Sequence, residues 1–144
     1  MFHLARRALS SFLNTPVGRE SLTRAAAILL PREMELWSAM QPRDQRHSLV
    51  VLERFDALIP GASRPERAAA LLHDVGKCTT DLGWAGRVIA TLVGPRTARM
   101  ATYLDHERIG AGLLGPVSDP LTVRLVGGTA TGPVAEALRR ADDV

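Results

Sequence analysis

Proline constrains this chain more than any other residue, because its positions read as a series of helix starts. Pro31, Pro42, Pro65, Pro120 and Pro133 each open a stretch of helix-compatible sequence. Proline is tolerated in the first turn of a helix, where its missing N–H would be unpaired anyway, and is excluded from the interior of a sheet. Pro60-Gly61, Gly94-Pro95 and Gly115-Pro116 read as stops. Ser63 and Glu66 form a capping box around Pro65, and Asp81, Asp105 and Asp119 stand at N-cap positions. Gly76 is placed to end the helix that Ser63 begins, as a C′ residue. Strand signals are almost absent. Helices are predicted over residues 3–13, 19–30, 31–40, 42–58, from 64 to the approach of Gly76, 81–93, 96–104, 106–114, 120–126 and from 133 onward, with GGTATGP as a loop. No internal repeat or long linker divides them. The expectation is an all-α, single-domain bundle over residues 1–144, with N-terminal helices in 1–30 and a motif-bearing core in 36–144.

A chain of 144 residues with 46% hydrophobic content buries a core without staples. No apolar run approaches the roughly 20 residues a membrane span requires, so no membrane partner is expected. The single cysteine, Cys78, excludes an internal disulfide framework and fits a reducing, cytoplasmic setting. The opening MFHLARRALSSFLN carries arginines and serines with Phe2, Leu9, Phe12 and Leu13 as an apolar stripe. It lacks the continuous apolar stretch and cleavage site of a secretion signal, and reads as an amphipathic first helix rather than an anchor. The net charge of +3 comes from basic residues interleaved with acids, and one Tyr, two Trp and three Phe offer little for base stacking. DNA is therefore not an expected partner.

Against this background, ERAAALLHDVGK is unusual. Ala68, Ala69 and Ala70 let neighbouring helices approach, which suits a central helix, yet it ends in His73 and Asp74. On a regular helix those two side chains diverge by about 100°, so one ligand meets both only where the helix loosens. Lys77, the one lysine among 18 basic residues, lies three positions on. His47 stands on a helix whose positions +3, +4, +8 and +11 are Val50, Val51, Phe55 and Leu58, an apolar stripe that turns the imidazole inward. Asp142 shares a face with Val134, Ala135 and Leu138, while Asp143 is one step round and solvated. Singly, each has a plain structural role: a core imidazole on a backbone carbonyl, a carboxylate on an arginine, a surface acid. Together, two imidazoles and two carboxylates facing inward from three helices are costly when empty. Around a divalent cation they form a nearly neutral shell. Mixed His/Asp ligation suits Mn, Fe, Co, Ni or Zn, and a thiolate-rich structural zinc site is excluded by composition.

The order His47, then His73-Asp74 in HDVGK, then Asp142 on the last helix resembles the HD-domain superfamily of metal-dependent phosphohydrolases. RDQRHSLVV resembles its first motif helix and ALLHDVGK its central signature, and the resemblance runs from about residue 36 onward. It implies an all-α bundle in which His47, His73, Asp74 and Asp142 ligate the metal. Asp74 also orients or deprotonates the attacking water, and Lys77, with Arg46 nearby, meets a small phosphorylated substrate, for that family one of the nucleotide class. DHERIGAGLL resembles an H-x-x-x-G-A segment of members with larger, often dinuclear sites, including bacterial dinucleotide polyphosphate hydrolases, and this makes His106 a further ligand. Those relatives follow with I-x-x-H-T-x-G, where this chain reads LVGGTATG, with Gly127-Gly128 in place of the imidazole. The departure favours one metal over two. Asp142 also stands two residues before the last residue of the sequence, where helix ends fray. The leading expectation is a phosphohydrolase. The alternative is a degenerate module that binds a nucleotide or protein without turnover; di-iron oxidative chemistry is disfavoured by Gly127-Gly128.

Overall fold

The computed structural model describes residues 15–77 and 106–143. The predicted helices at 3–13, 81–93 and 96–104, together with Cys78 and the caps Asp81 and Asp105, lie outside them. The regular secondary structure of the described residues is all helical, with no strand among them. Seven α-helices are seen there: α1 (Arg19–Ile28), α2 (Pro31–Ala39), α3 (Pro42–Leu58), α4 (Arg64–Leu72), α5 (His106–Leu114), α6 (Pro120–Val126) and α7 (Pro133–Asp142).

Local chemistry sets their ends. Five of the seven have proline in the first turn and begin at or just before it, at Pro31, Pro42, Pro65, Pro120 and Pro133. Ser63 caps α4 as expected: its Oγ accepts from Glu66 N–H, and Glu66 Oε1 accepts from Ser63 N–H at 2.8 Å. Asp119 Oδ1 accepts from Leu121 N–H at 2.9 Å at the start of α6. At the start of α2 the Leu30 N–H donates to Glu33 Oε2 at 2.8 Å, and the same oxygen lies 3.2 Å from Arg64 Nη1. Glu33 is fully buried, so this shared acceptor ties the start of α2 to the start of α4.

α4 is the central helix. Ala68 through Leu72 are all fully buried, and α4 packs against α1, α2, α3 and α6. Three consecutive alanines allow that crowding, since helix axes close up only where side chains are short. Thr122 Oγ1 on α6 donates to the Pro65 carbonyl at 2.8 Å, and Arg67 on α4 forks onto both oxygens of Asp56 on α3, each at 2.9 Å. At the turn between α2 and α3, buried polar groups satisfy one another: Trp37 Nε1 donates to Ser48 Oγ, Ser48 Oγ to the Gln45 carbonyl, and Gln45 Nε2 to the Trp37 carbonyl. α7 lies along α3, and α5 packs on α6 and on the turn that follows α4.

One expectation about α3 is corrected. Its inward face is Gln45, Ser48, Leu49, Val51, Leu52 and Phe55. Val50 and Leu58 are 42% and 38% exposed. The buried stripe is therefore rotated from the predicted one, and His47 stands at its edge, with a side chain 36% exposed.

Candidate metal centre

α4 ends at Leu72, and the way it ends builds the site. His73 keeps helical angles (φ −57°, ψ −31°), after which the chain tightens into a 3-10 turn over Val75–Lys77, closed by Lys77 N–H donating to the Asp74 carbonyl at 2.9 Å. This loosening brings two adjacent side chains to one place, with His73 Nε2 3.3 Å from Asp74 Oδ2. Gly76 works differently from the C′ cap expected of it. Positive φ among the described glycines occurs at Gly61, Gly128 and Gly132, not here. Gly76 is required by contact: a Cβ on it would lie 1.7 Å from the His106 carbonyl oxygen and 2.8 Å from Gly110 N. The bare backbone lets α5 begin against the turn, and that approach carries His106 to the site. Gly110 serves the same contact from α5, as its small-residue segment suggested, with Val126 and Val75 closing on it.

The side chains converge from three helices and the turn. Asp142 Oδ1, on the last residue of α7, lies 2.9 Å from His47 Nε2 and 3.1 Å from His73 Nε2. The two imidazole rings are 5.5 Å apart at 64°. Asp74 is shared between two neighbourhoods, with Oδ2 toward His73 and Oδ1 3.0 Å from Lys77 Nζ and 3.7 Å from His106 Nε2. His73 and Asp74 are buried, whereas Asp142 is 48% exposed and so is a rim carboxylate rather than the buried charge the sequence implied. Arg46 donates to the Thr15 carbonyl. Asp143 is exposed, as expected.

His73 defines the electrostatics. Its Nδ1 lies 2.8 Å from the Ala70 carbonyl, which can only accept, so the Nδ1 proton is held there and Nε2 is turned into the cluster. Nε2 is fully buried and has no hydrogen-bond partner of good geometry, although two carboxylates approach it. Burial acts against protonation of this ring, but Asp142 and Asp74 outweigh it and push the pKa up to about 10. Burial likewise opposes ionisation of Asp74, yet His73 and Lys77 bring it down to about 2. The Asp142 carboxyl is held well below the usual carboxylate range, first by His73 and then, against burial, by His47.

The same arrangement fits a metal. One ring nitrogen each from His47 and His73 and one oxygen of Asp74 all lie within 4.8 Å of one another, and this group could hold an ion. Donors bound at roughly 2.0–2.2 Å sit on that scale. A buried imidazole nitrogen with its opposite N–H fixed on a backbone carbonyl is the usual arrangement behind a metal ligand. Among the described residues this is the one set of three such donors within that distance.

Beside the cluster is a cavity of about 140 Å³, lined on one side by His73, His106 and Asp142. Glu107 and Arg139 also line it, and neither was singled out in the sequence. Their place beside the candidate ligands follows from helical spacing once those ligands are fixed: Arg139 is one turn before Asp142 on α7, and Glu107 follows His106 at the start of α5.

No family model matches the sequence, and no solved structure matches it. The chain is similar to the multifunctional CCA protein of Variovorax paradoxus (strain S110), 32% identical over 102 residues. The match covers 66% of this chain and 20% of that protein, so the chain corresponds to about a fifth of its relative's length.

Proposed function

We propose that this chain is a metal-dependent phosphohydrolase of the HD-domain superfamily, acting on a small phosphorylated substrate of the nucleotide class. The observation that carries the reading is the convergence of His47, His73 and Asp74 around a buried imidazole nitrogen with no good partner. The similarity to a multifunctional CCA protein is compatible with nucleotide chemistry, and over a fifth of that protein's length it carries no more than that.

In this reading His47, His73, Asp74 and Asp142 hold one divalent ion (Mn, Fe, Co, Ni or Zn), with His106 adding a donor on the cavity side. When bound, such an ion lowers the pKa of water and polarises a phosphoryl oxygen. The chain's own groups do the rest. Lys77 is half-exposed beside Asp74, where its ammonium balances charge on a phosphate entering from solvent. Asp74, ionised across the neutral pH range, accepts a hydrogen bond from the attacking water and orients it. His73, fixed on Ala70, holds its ring against rotation.

A second reading, a module that binds without turnover, is favoured by one observation: Gly127-Gly128 supplies no side chain to the region beside His106. One experiment separates the two. Protein purified without chelators or a metal-binding tag is assayed by elemental mass spectrometry beside His73→Ala, then tested against p-nitrophenyl phosphate and a nucleotide panel with the recovered metal. About one ion per chain, lost in His73→Ala and accompanied by turnover, is the result expected of a phosphohydrolase. Bound metal without turnover of any phosphate ester selects the binding module, and folded protein that takes up none of these ions overturns both assignments of the cluster.

A further inference from the structure

We infer that the cavity beside the metal cluster is a subsite for a sugar phosphate moiety, in which Glu107 accepts hydrogen bonds from a vicinal diol and Arg139 pairs with phosphate. The phosphate half of this assignment rests on the phosphohydrolase reading; the diol half rests on Glu107 and its surroundings.

Glu107 lies over the bare backbone of Gly128. A Cβ built on Gly128 would be 2.5 Å from Glu107 Oε2, and the φ of +72° already disfavours any other residue there. The loop thus leaves space that the Glu107 carboxylate occupies at the edge of the cavity. No lysine or arginine among the described residues forms an ion pair with it. It also stands apart from the ligand set, since the group of donors close enough to share an ion is His47, His73 and Asp74. An ionised carboxylate offers only acceptors. It repels phosphate and selects neutral O–H or N–H donors.

Arg139 supplies the opposite character. It is on the same helix as Asp142, one turn earlier, and its guanidinium is largely exposed and 3.3 Å from Glu136 on its own helix. Arginine matches a phosphate through paired donors. The cavity therefore combines a cation, an acceptor-only group and the metal cluster, with Leu125 and Leu138 as apolar lining. A phosphate joined to adjacent hydroxyls satisfies all of these. Size agrees: about 140 Å³ is below the roughly 300–1,000 Å³ that encloses a whole drug-sized ligand, so a sugar and its phosphate enter while any base stays outside.

The test is calorimetric binding to metal-loaded protein, with ribose 5-phosphate and 2-deoxyribose 5-phosphate as probes, since the second lacks the diol. The wild type is expected to favour the ribose compound about tenfold, the scale of a hydrogen bond to a charged group. Glu107→Gln and the shorter Glu107→Asp are both expected to reduce that ratio to within about twofold, and Arg139→Ala to weaken both sugars and inorganic phosphate alike. Equal binding of the two sugars by the wild type, or an undiminished ratio in Glu107→Gln, overturns the inference. Loss of metal from Glu107→Gln also overturns it, because the carboxylate would then be a ligand. Hydrolysis of p-nitrophenyl phosphate, which has no diol, is followed in the same preparations. Turnover without ribose preference sinks the subsite and spares the phosphohydrolase reading, and ribose preference without turnover does the reverse. AMP run alongside distinguishes the two sources of the moiety: tighter binding than ribose 5-phosphate identifies a ribonucleotide, equal binding a free sugar phosphate, and both uphold the diol contact.

Discussion

His73 is where the bundle places an ionisable group that folding alone would avoid. In the metal-free protein its pKa is raised from 6.5 to about 10 by Asp142 and Asp74 against the opposing effect of burial. A raised imidazole pKa means that the folded state holds the proton more tightly than the unfolded chain. The resulting stabilisation is complete below 6.5 and disappears as pH climbs through about 10. Asp74 has the opposite sign: lowered from 3.8 to about 2, it stabilises above 3.8 and ceases to as pH falls through about 2. Chelator-treated protein is thus expected to be most stable between pH 3.8 and 6.5, with a melting temperature that declines steadily from 6.5 toward 10. Thermal melts across that range check it. His73→Gln should lose the alkaline decline, and a wild-type profile flat from pH 6.5 to 10 would refute the coupling. A metal bound at this cluster would reverse the slope, because it needs a neutral ring and competes with the proton.

Helix boundaries were largely legible because their causes are local: Ser63 and Asp119 bond their own first turns, and proline excludes itself from a helix interior. What sequence missed depends on contacts between elements. Gly76 was read as a helix stop, but its reason is the carbonyl of His106, distant in sequence, and nothing near Gly76 announces it. The orientation of α3 failed for a related cause. Val50 extends an apolar pattern that fits the helix, yet α4 and α7 cover a face centred on Leu52 and Phe55. The candidate ligands were legible because charge and imidazole at the end of an alanine-rich buried helix demand partners. Glu107 and Arg139 were not, since a surface glutamate and arginine are ordinary until a cavity is seen beside them. Gly76→Ala tests the contact. Its Cβ would meet two backbone atoms that cannot swing away, so destabilisation on the order of 3 kcal/mol is expected, together with loss of the 3-10 turn's docking on α5. Gly115→Ala is the control, because its nearest neighbour would be at an ordinary 3.5 Å and the cost should stay under about 1 kcal/mol. Urea denaturation of the two variants measures both, and equal costs would show that helix propensity, not contact, governs Gly76.

The cluster also joins parts of the chain that are remote in sequence. His47 and Asp142 are 95 positions apart, and their contact links α3 to α7 while His73 links both to the end of the central helix. An ion at this point would bind the folded bundle and not the unfolded chain, where the donors are scattered. Folding and metal binding would therefore be coupled. At a free metal concentration a hundred times Kd, the coupling is worth about 2.7 kcal/mol. For a chain of this size that corresponds to a rise in Tm of roughly 5–10 °C. Wild-type protein at pH 7 is expected to lose that increment on treatment with a chelator and regain it when the metal recovered from the native preparation is returned. His47→Ala and His73→Ala should melt at one temperature with or without metal, since each removes a donor from the set of three. Asp142→Ala separates the rim from the centre: its carboxylate is half-exposed, bonded to His47 and 3.1 Å from His73 Nε2, so the variant should keep part of the metal-dependent rise while His73 loses the partner that most raises its pKa. Differential scanning calorimetry of the four proteins, each with and without metal, gives the comparison directly. A metal-induced shift of equal size in wild type and His73→Ala would place the ion elsewhere on the protein and dissolve the link between the cluster and the stability of the bundle.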